Sequence, residues 1–74
     1  PNPAQNKLSI EYAGAEIKTE DIVITSVNGV RVWSSTVTSQ AGNNKVTIEL
    51  PASLGSGIYL LRVGTRTAVK FVKQ

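Results

Sequence analysis

The side chains best placed to act on a partner lie near the end of the chain. After Glu49 the only charged residues are Arg62, Arg66, Lys70 and Lys73, and every carboxylate (Glu11, Glu16, Glu20, Asp21 and Glu49) comes earlier or at that point. A one-signed stretch of this kind supports two readings. The cations can guard an exposed sheet edge against pairing with other chains, or they can dock an acidic partner. Catalysis has little to work with. The sequence contains no His and no Cys, which excludes thiol nucleophiles, thiolate metal sites and imidazole acid–base chemistry. The carboxylates fall mostly at outward strand positions or turns, and Glu20-Asp21 alone do not supply the alternating acids of a calcium loop. Ser and Lys both occur, but no spacing sets a hydroxyl beside an amine and an oxyanion site. Gly55-Ser56-Gly57 leads into a strand and not a helix, so it is no phosphate cradle. A net charge of +3 falls short of the basic, aromatic-interleaved surface that nucleic acid requires. The expectation is a domain that is not an enzyme and takes no metal, no cofactor and no nucleic acid.

Such residues need a scaffold, and the composition limits what kind. The chain has 74 residues, 41% of them hydrophobic and 18% charged, a globular composition suited to one small domain. A domain of this size buries only about 60% of its unfolded surface, and no disulfide assists it. No run approaches the ~20 apolar residues of a membrane helix, and no signal peptide is present. The chain opens at Pro1 without a starting Met, which suggests a fragment of a longer protein.

The pattern along the chain is that of strands. Pro1-Asn2-Pro3-Ala4 reads as an extended linker end, because proline fixes its own φ and turns the preceding residue away from the helical region; residues 1–6 then lead into the first strand. Lys7–Tyr12 alternates, with Leu8, Ile10 and Tyr12 on one face. Ala15–Lys18 suggests a short second strand, and Ile22–Val27 a strong one. Asn28-Gly29 predicts a tight type I′ hairpin turn, after which Val30–Thr38 returns. Ala41–Asn44 reads as a loop. Lys45–Leu50 alternates with Val46, Ile48 and Leu50 inward, and Pro51 stops it. The following loop holds one helical turn at most, with Leu54 tucked under the sheets.

The last third predicts a β-hairpin. Ile58–Val63 and Thr67–Val72 are rich in β-branched and aromatic residues. Gly64-Thr65 suggests a two-residue turn, which pairs Leu61 with Ala68, Tyr59 with Lys70, Ile58 with Phe71 and Leu60 with Val69. Apolar residues occupy both faces, so alternation does not say which face is the core. A hairpin this apolar requires a second sheet. No stretch carries a long helical stripe. The expected fold is all-β, an immunoglobulin-like antiparallel β-sandwich of six to seven short strands, with Trp33 packing at its core or rim.

Four motifs in order resemble the type A C-terminal sorting domain of the type IX secretion system. Pro1-Asn2-Pro3-Ala4 precedes a strand at Leu8-Ser9-Ile10. A central strand runs from Ile22 to Gly29, with Ser26 in the region where the family pattern has Asp. Gly57, Tyr59 and Val63 form a Gly-x-Tyr-x-x-x-Val strand, and Lys70-Phe71-Val72-Lys73 forms a basic-apolar close, with Gln74 beyond it. Together they span nearly the whole chain.

The resemblance implies a single sorting domain over residues 1–74, of the kind that ends secreted proteins such as gingipain-type proteases. It implies passage through the periplasm to the outer membrane and cell surface of a Gram-negative bacterium, recognition by the outer-membrane secretion machinery, and removal by a surface sortase-like protease. It points to Gly57, Tyr59, Lys70, Phe71, Val72 and Lys73 as recognition residues. Pro1, Asn2, Pro3, Gly29 and Val63 are then family positions that serve the fold. The terminal strand, apolar on both faces, also suggests a homodimer through an edge or exchanged strand. The alternative is a fibronectin-like or carbohydrate-binding accessory module of a secreted enzyme, since a sandwich fold does not fix function.

Overall fold

The computed structural model describes residues 6–74; the extended entry expected at Pro1, Asn2, Pro3 and Ala4 lies outside them. Six strands follow one another: β1 Lys7–Gly14, β2 Lys18–Ser26, β3 Arg31–Ser39, β4 Gly42–Glu49, β5 Gly57–Val63 and β6 Val69–Lys73. All pairings are antiparallel, and they form two sheets, β1-β4 and β3-β2-β5-β6. This is the expected all-β, sandwich-like fold, with no helix among the described residues.

One apolar cluster joins the sheets. Leu8 and Ile48 enter it from the two-stranded sheet, and Ile22, Ile24, Leu61, Val63 and Phe71 from the four-stranded one. Leu50 and Leu54 close it at one end, and the turn carrying Leu54 is held by Leu54 N–H donating to the Pro51 carbonyl at 3.0 Å. Trp33 packs against the cluster half-buried. Burial of each such side chain contributes roughly 1.5–3 kcal/mol.

Several local expectations are corrected. The separate strand at Ala15–Lys18 does not form: residues 15–17 bend, and Lys18 opens β2. The reason is Glu20, which shares the inward parity of Ile22 and Ile24 and extends the β2–β3 ladder back to Lys18 and Ser39. The Ala41–Asn44 loop shrinks, because β4 already begins at Gly42. Asn44 lies in that strand, buried, and its amide accepts from Gln40 N–H at 2.8 Å and donates to the Gln40 carbonyl at 2.9 Å. The side chain thereby replaces the turn bonds that a longer loop would make.

The Asn28-Gly29 hairpin is present but its turn is longer than type I′. Only Gly29 has positive φ, +84°. Gly29 N–H donates to the Ser26 carbonyl at 2.9 Å, and Ser26 N–H to the Val30 carbonyl at 2.8 Å. That is the geometry of a type I turn closed by a left-handed glycine, which leaves Asn28 in an ordinary conformation. Ser26 Oγ also accepts from Val30 N–H at 3.3 Å, so this hydroxyl adds a side-chain bond across the turn.

Candidate recognition hairpin

The closing hairpin forms in a register one residue away from the expected one. Tyr59 faces Phe71, Leu60 faces Lys70, Leu61 faces Val69, and Ile58 faces Val72. The expected two-residue turn at Gly64-Thr65 is replaced by a loop over residues 64–68. Its first N–H, on Gly64, donates to the Asp21 carbonyl at 2.7 Å and so continues the β2–β5 edge, while Arg66 N–H turns back to the Val63 carbonyl at 3.1 Å. The loop is long because Arg66 is drawn inward.

Arg66 reaches Glu20. Its Nη1 donates to both carboxylate oxygens at 2.8 and 2.9 Å, and its Nε donates to the Ala13 carbonyl at 3.1 Å. The guanidinium lies 4.6 Å from the centre of the Tyr12 ring, within cation–π range. Ser39 Oγ donates to the second Glu20 oxygen at 2.6 Å. Its single proton is thereby used, so the 2.6 Å contact with the Tyr12 hydroxyl has tyrosine as donor. The Glu20 side chain is only 8% exposed. Hydrogen bonds from Arg66 and Ser39 hold its carboxyl below its ordinary value of 4.5. The network ties β1 to β2, β3 and the β5–β6 loop. Glu20 is therefore not one of the outward carboxylates, and Arg66 serves neither of the two roles expected of the C-terminal cations, edge protection or docking of an acidic partner; it is held inside the fold by Glu20. The signal was present: Glu20 lies on the same parity as Ile22 and Ile24, and a carboxylate on an inward face calls for a cation.

The new register answers which face of the hairpin is core. Leu61, Val63 and Phe71 are buried. Tyr59 stacks on Phe71 with ring centroids 5.8 Å apart, and its hydroxyl donates to the Gly55 carbonyl at 2.7 Å, pinning the loop before β5. Gly57 has φ +152°, a conformation that side-chain-bearing residues seldom adopt. Gly57, Tyr59, Val63 and Phe71 are thus all built into the fold of the hairpin. Lys70 projects from the opposite face across from Leu60, where Ile58, Arg62 and Val72 are also exposed. Lys73 is half-buried at the end of β6, with Nζ 3.5 Å from the Gln74 carbonyl. Among the described residues β6 is the last strand in the order β3-β2-β5-β6.

A family profile described as the secretion system C-terminal sorting domain matches residues 1–74. The chain belongs to that family. It is the sorting domain of type IX secretion, and the match covers both sheets and the terminal hairpin alike. No curated protein and no solved structure matches the chain. For the sorting domain, the geometry separates the late motif into two sets. Gly57, Tyr59, Val63 and Phe71 set the hairpin's shape. Lys70 and Val72 stand on its exposed face, and Lys73 ends the strand. Among the described residues no helix is long and apolar enough to cross a membrane.

Proposed function

We propose that residues 1–74 form a single sorting domain that carries a cargo protein through the outer membrane to the cell surface, where a sortase-like protease removes it. The observation that carries this reading is the family match over the whole chain. The placement of a basic strand, Lys70 to Lys73, at the end of the described strand order of the larger sheet supports it. In this reading the secretion machinery recognises β6 on the folded domain: Lys70 and Lys73 supply charge and Val72 an exposed apolar contact. Gly57, Tyr59 and Phe71 act by holding that strand in place. A second copy would associate through an edge or exchanged terminal strand, so sedimentation velocity of the isolated domain is expected to show a dimer that grows with concentration; a strict monomer would remove this part of the proposal.

The sugar-binding alternative would use an exposed aromatic platform, but Trp33, Tyr12, Tyr59 and Phe71 are all half-buried or buried. The direct test is to fuse the domain to the C-terminus of an inert periplasmic reporter in a host with type IX secretion. The reporter is expected at the cell surface, and in the periplasm when the secretion system is disabled. Retention in the competent host, with the domain folded and intact, would contradict the proposal.

A further inference from the structure

The outward face of the four-stranded sheet has a pattern that the terminal motif does not explain. One row crosses all of its strands: Arg31 on β3 faces Thr25 on β2, Thr25 faces Leu60 on β5, and Leu60 faces Lys70 on β6. Three strand spacings separate its ends, about 14 Å. The next rows place Val23 across from Arg62, and Ile58 across from Val72. A shallow hollow lined by Val23, Thr25, Leu60, Arg62 and Ala68 sits among them. Ile58 is 46% exposed and Val72 37%. β2 alternation puts one carboxylate on this face, Asp21, at the end beside the β5–β6 loop. Arg31, Arg62 and Lys70 are exposed, and among the described residues the ion pair is Arg66–Glu20, elsewhere in the molecule.

A sheet face with apolar residues at its centre and cations at both ends of a row is complementary to apolar side chains flanked by carboxylates. We infer that this outer face, and not the β6 edge alone, docks an acidic protein surface of the secretion apparatus, with Arg31, Arg62 and Lys70 pairing to carboxylates around Leu60 and Ile58. The inference rests on the sorting reading and extends it to a residue on β3, far from the terminal motif. A protein surface fits the flat face because carboxylates on an extended segment four residues apart are also about 14 Å apart.

The test uses the whole domain fused to the reporter, with R31Q/R62Q compared against K7Q/K45Q. The control removes the same charge from β1 and β4, where Lys7 faces Glu49 and Lys45 faces Glu11. Both are first checked for unchanged melting temperature; if the on-face pair melts low, R31Q and R62Q are read singly. Binding to the outer-membrane fraction of the competent host, with and without protease treatment of that fraction, gives the second readout. The expected result is a loss of binding and surface export of at least fivefold for R31Q/R62Q, none for K7Q/K45Q, recovery in R31K/R62K, and loss of wild-type binding after protease treatment. Binding that survives protease but still needs the arginines would assign the face to an anionic membrane component and overturn the inference. So would R31Q/R62Q binding and exporting like the control. If the wild-type fusion itself stays in the periplasm, the sorting reading fails; if wild type is exported and R31Q/R62Q equals it, only the outer-face inference fails.

Discussion

Glu20 and Arg66 show how one inward carboxylate can set the geometry of a distant loop. The pair is 2.8 Å apart, and Ser39 and Tyr12 continue it into the second sheet. Because the Glu20 carboxyl is held below its ordinary 4.5, the stability it contributes is fully present above that value and is lost as pH falls through the folded-state pKa. E20Q is therefore expected to melt below wild type at neutral pH, with the difference narrowing once the pH drops under 4.5. Thermal melts from pH 7 to pH 3 measure this. A constant difference across the range would mean that the carboxylate's charge does not matter to the fold. S39A is expected to destabilise by about 1–3 kcal/mol, because it leaves the Tyr12 hydroxyl without its acceptor and the second Glu20 oxygen with Arg66 alone; chemical denaturation at neutral pH reads it.

At the scale of elements, the hairpin shows why a deletion cannot identify a recognition strand. Phe71 is 2% exposed and stacked on Tyr59. F71A is expected to cost roughly 3–5 kcal/mol, against a total of about 4–11 kcal/mol for a chain of 74 residues. Circular dichroism of F71A is expected to show a largely unfolded or very low-melting domain, and a melting point close to wild type would contradict the core assignment. The strands themselves were legible from alternation: Leu8 and Ile10, Ile22 and Ile24, Ile48 and Leu50 all point inward as their period required. The turns were less so. Gly64 and Gly29 correctly marked chain reversals, but loop length depended on bonds from outside the turn. Arg66 bonding Glu20 lengthened one reversal, and Asn44 bonding Gln40 shortened another. Such contacts join residues distant in sequence or add a side-chain bond that alternation does not encode. Register followed loop length, so the pairing of Tyr59 shifted from Lys70 to Phe71. For the candidate site, the basic strand was visible as charge pattern, whereas the cross-sheet row from Arg31 to Lys70 required the strand order β3-β2-β5-β6.

In the whole molecule, the two sides of one small sheet differ in what they carry. The inward side holds a shared core and a polar clasp; in the proposed reading the outward side and β6 carry the cations through which the domain is recognised. The measurement that tests this division most directly is the surface-to-periplasm ratio of a reporter bearing K70Q/K73Q, read beside the melting temperature of the same domain. These substitutions keep chain length and most packing, and changes at such positions usually alter stability by less than about 0.5 kcal/mol, or roughly 2–4 °C for a domain of this size. The ratio is expected to fall several-fold with the melting temperature within that range. A ratio equal to wild type, with the domain folded, would show that the basic strand only protects an edge and would contradict the claim that its charge is recognised.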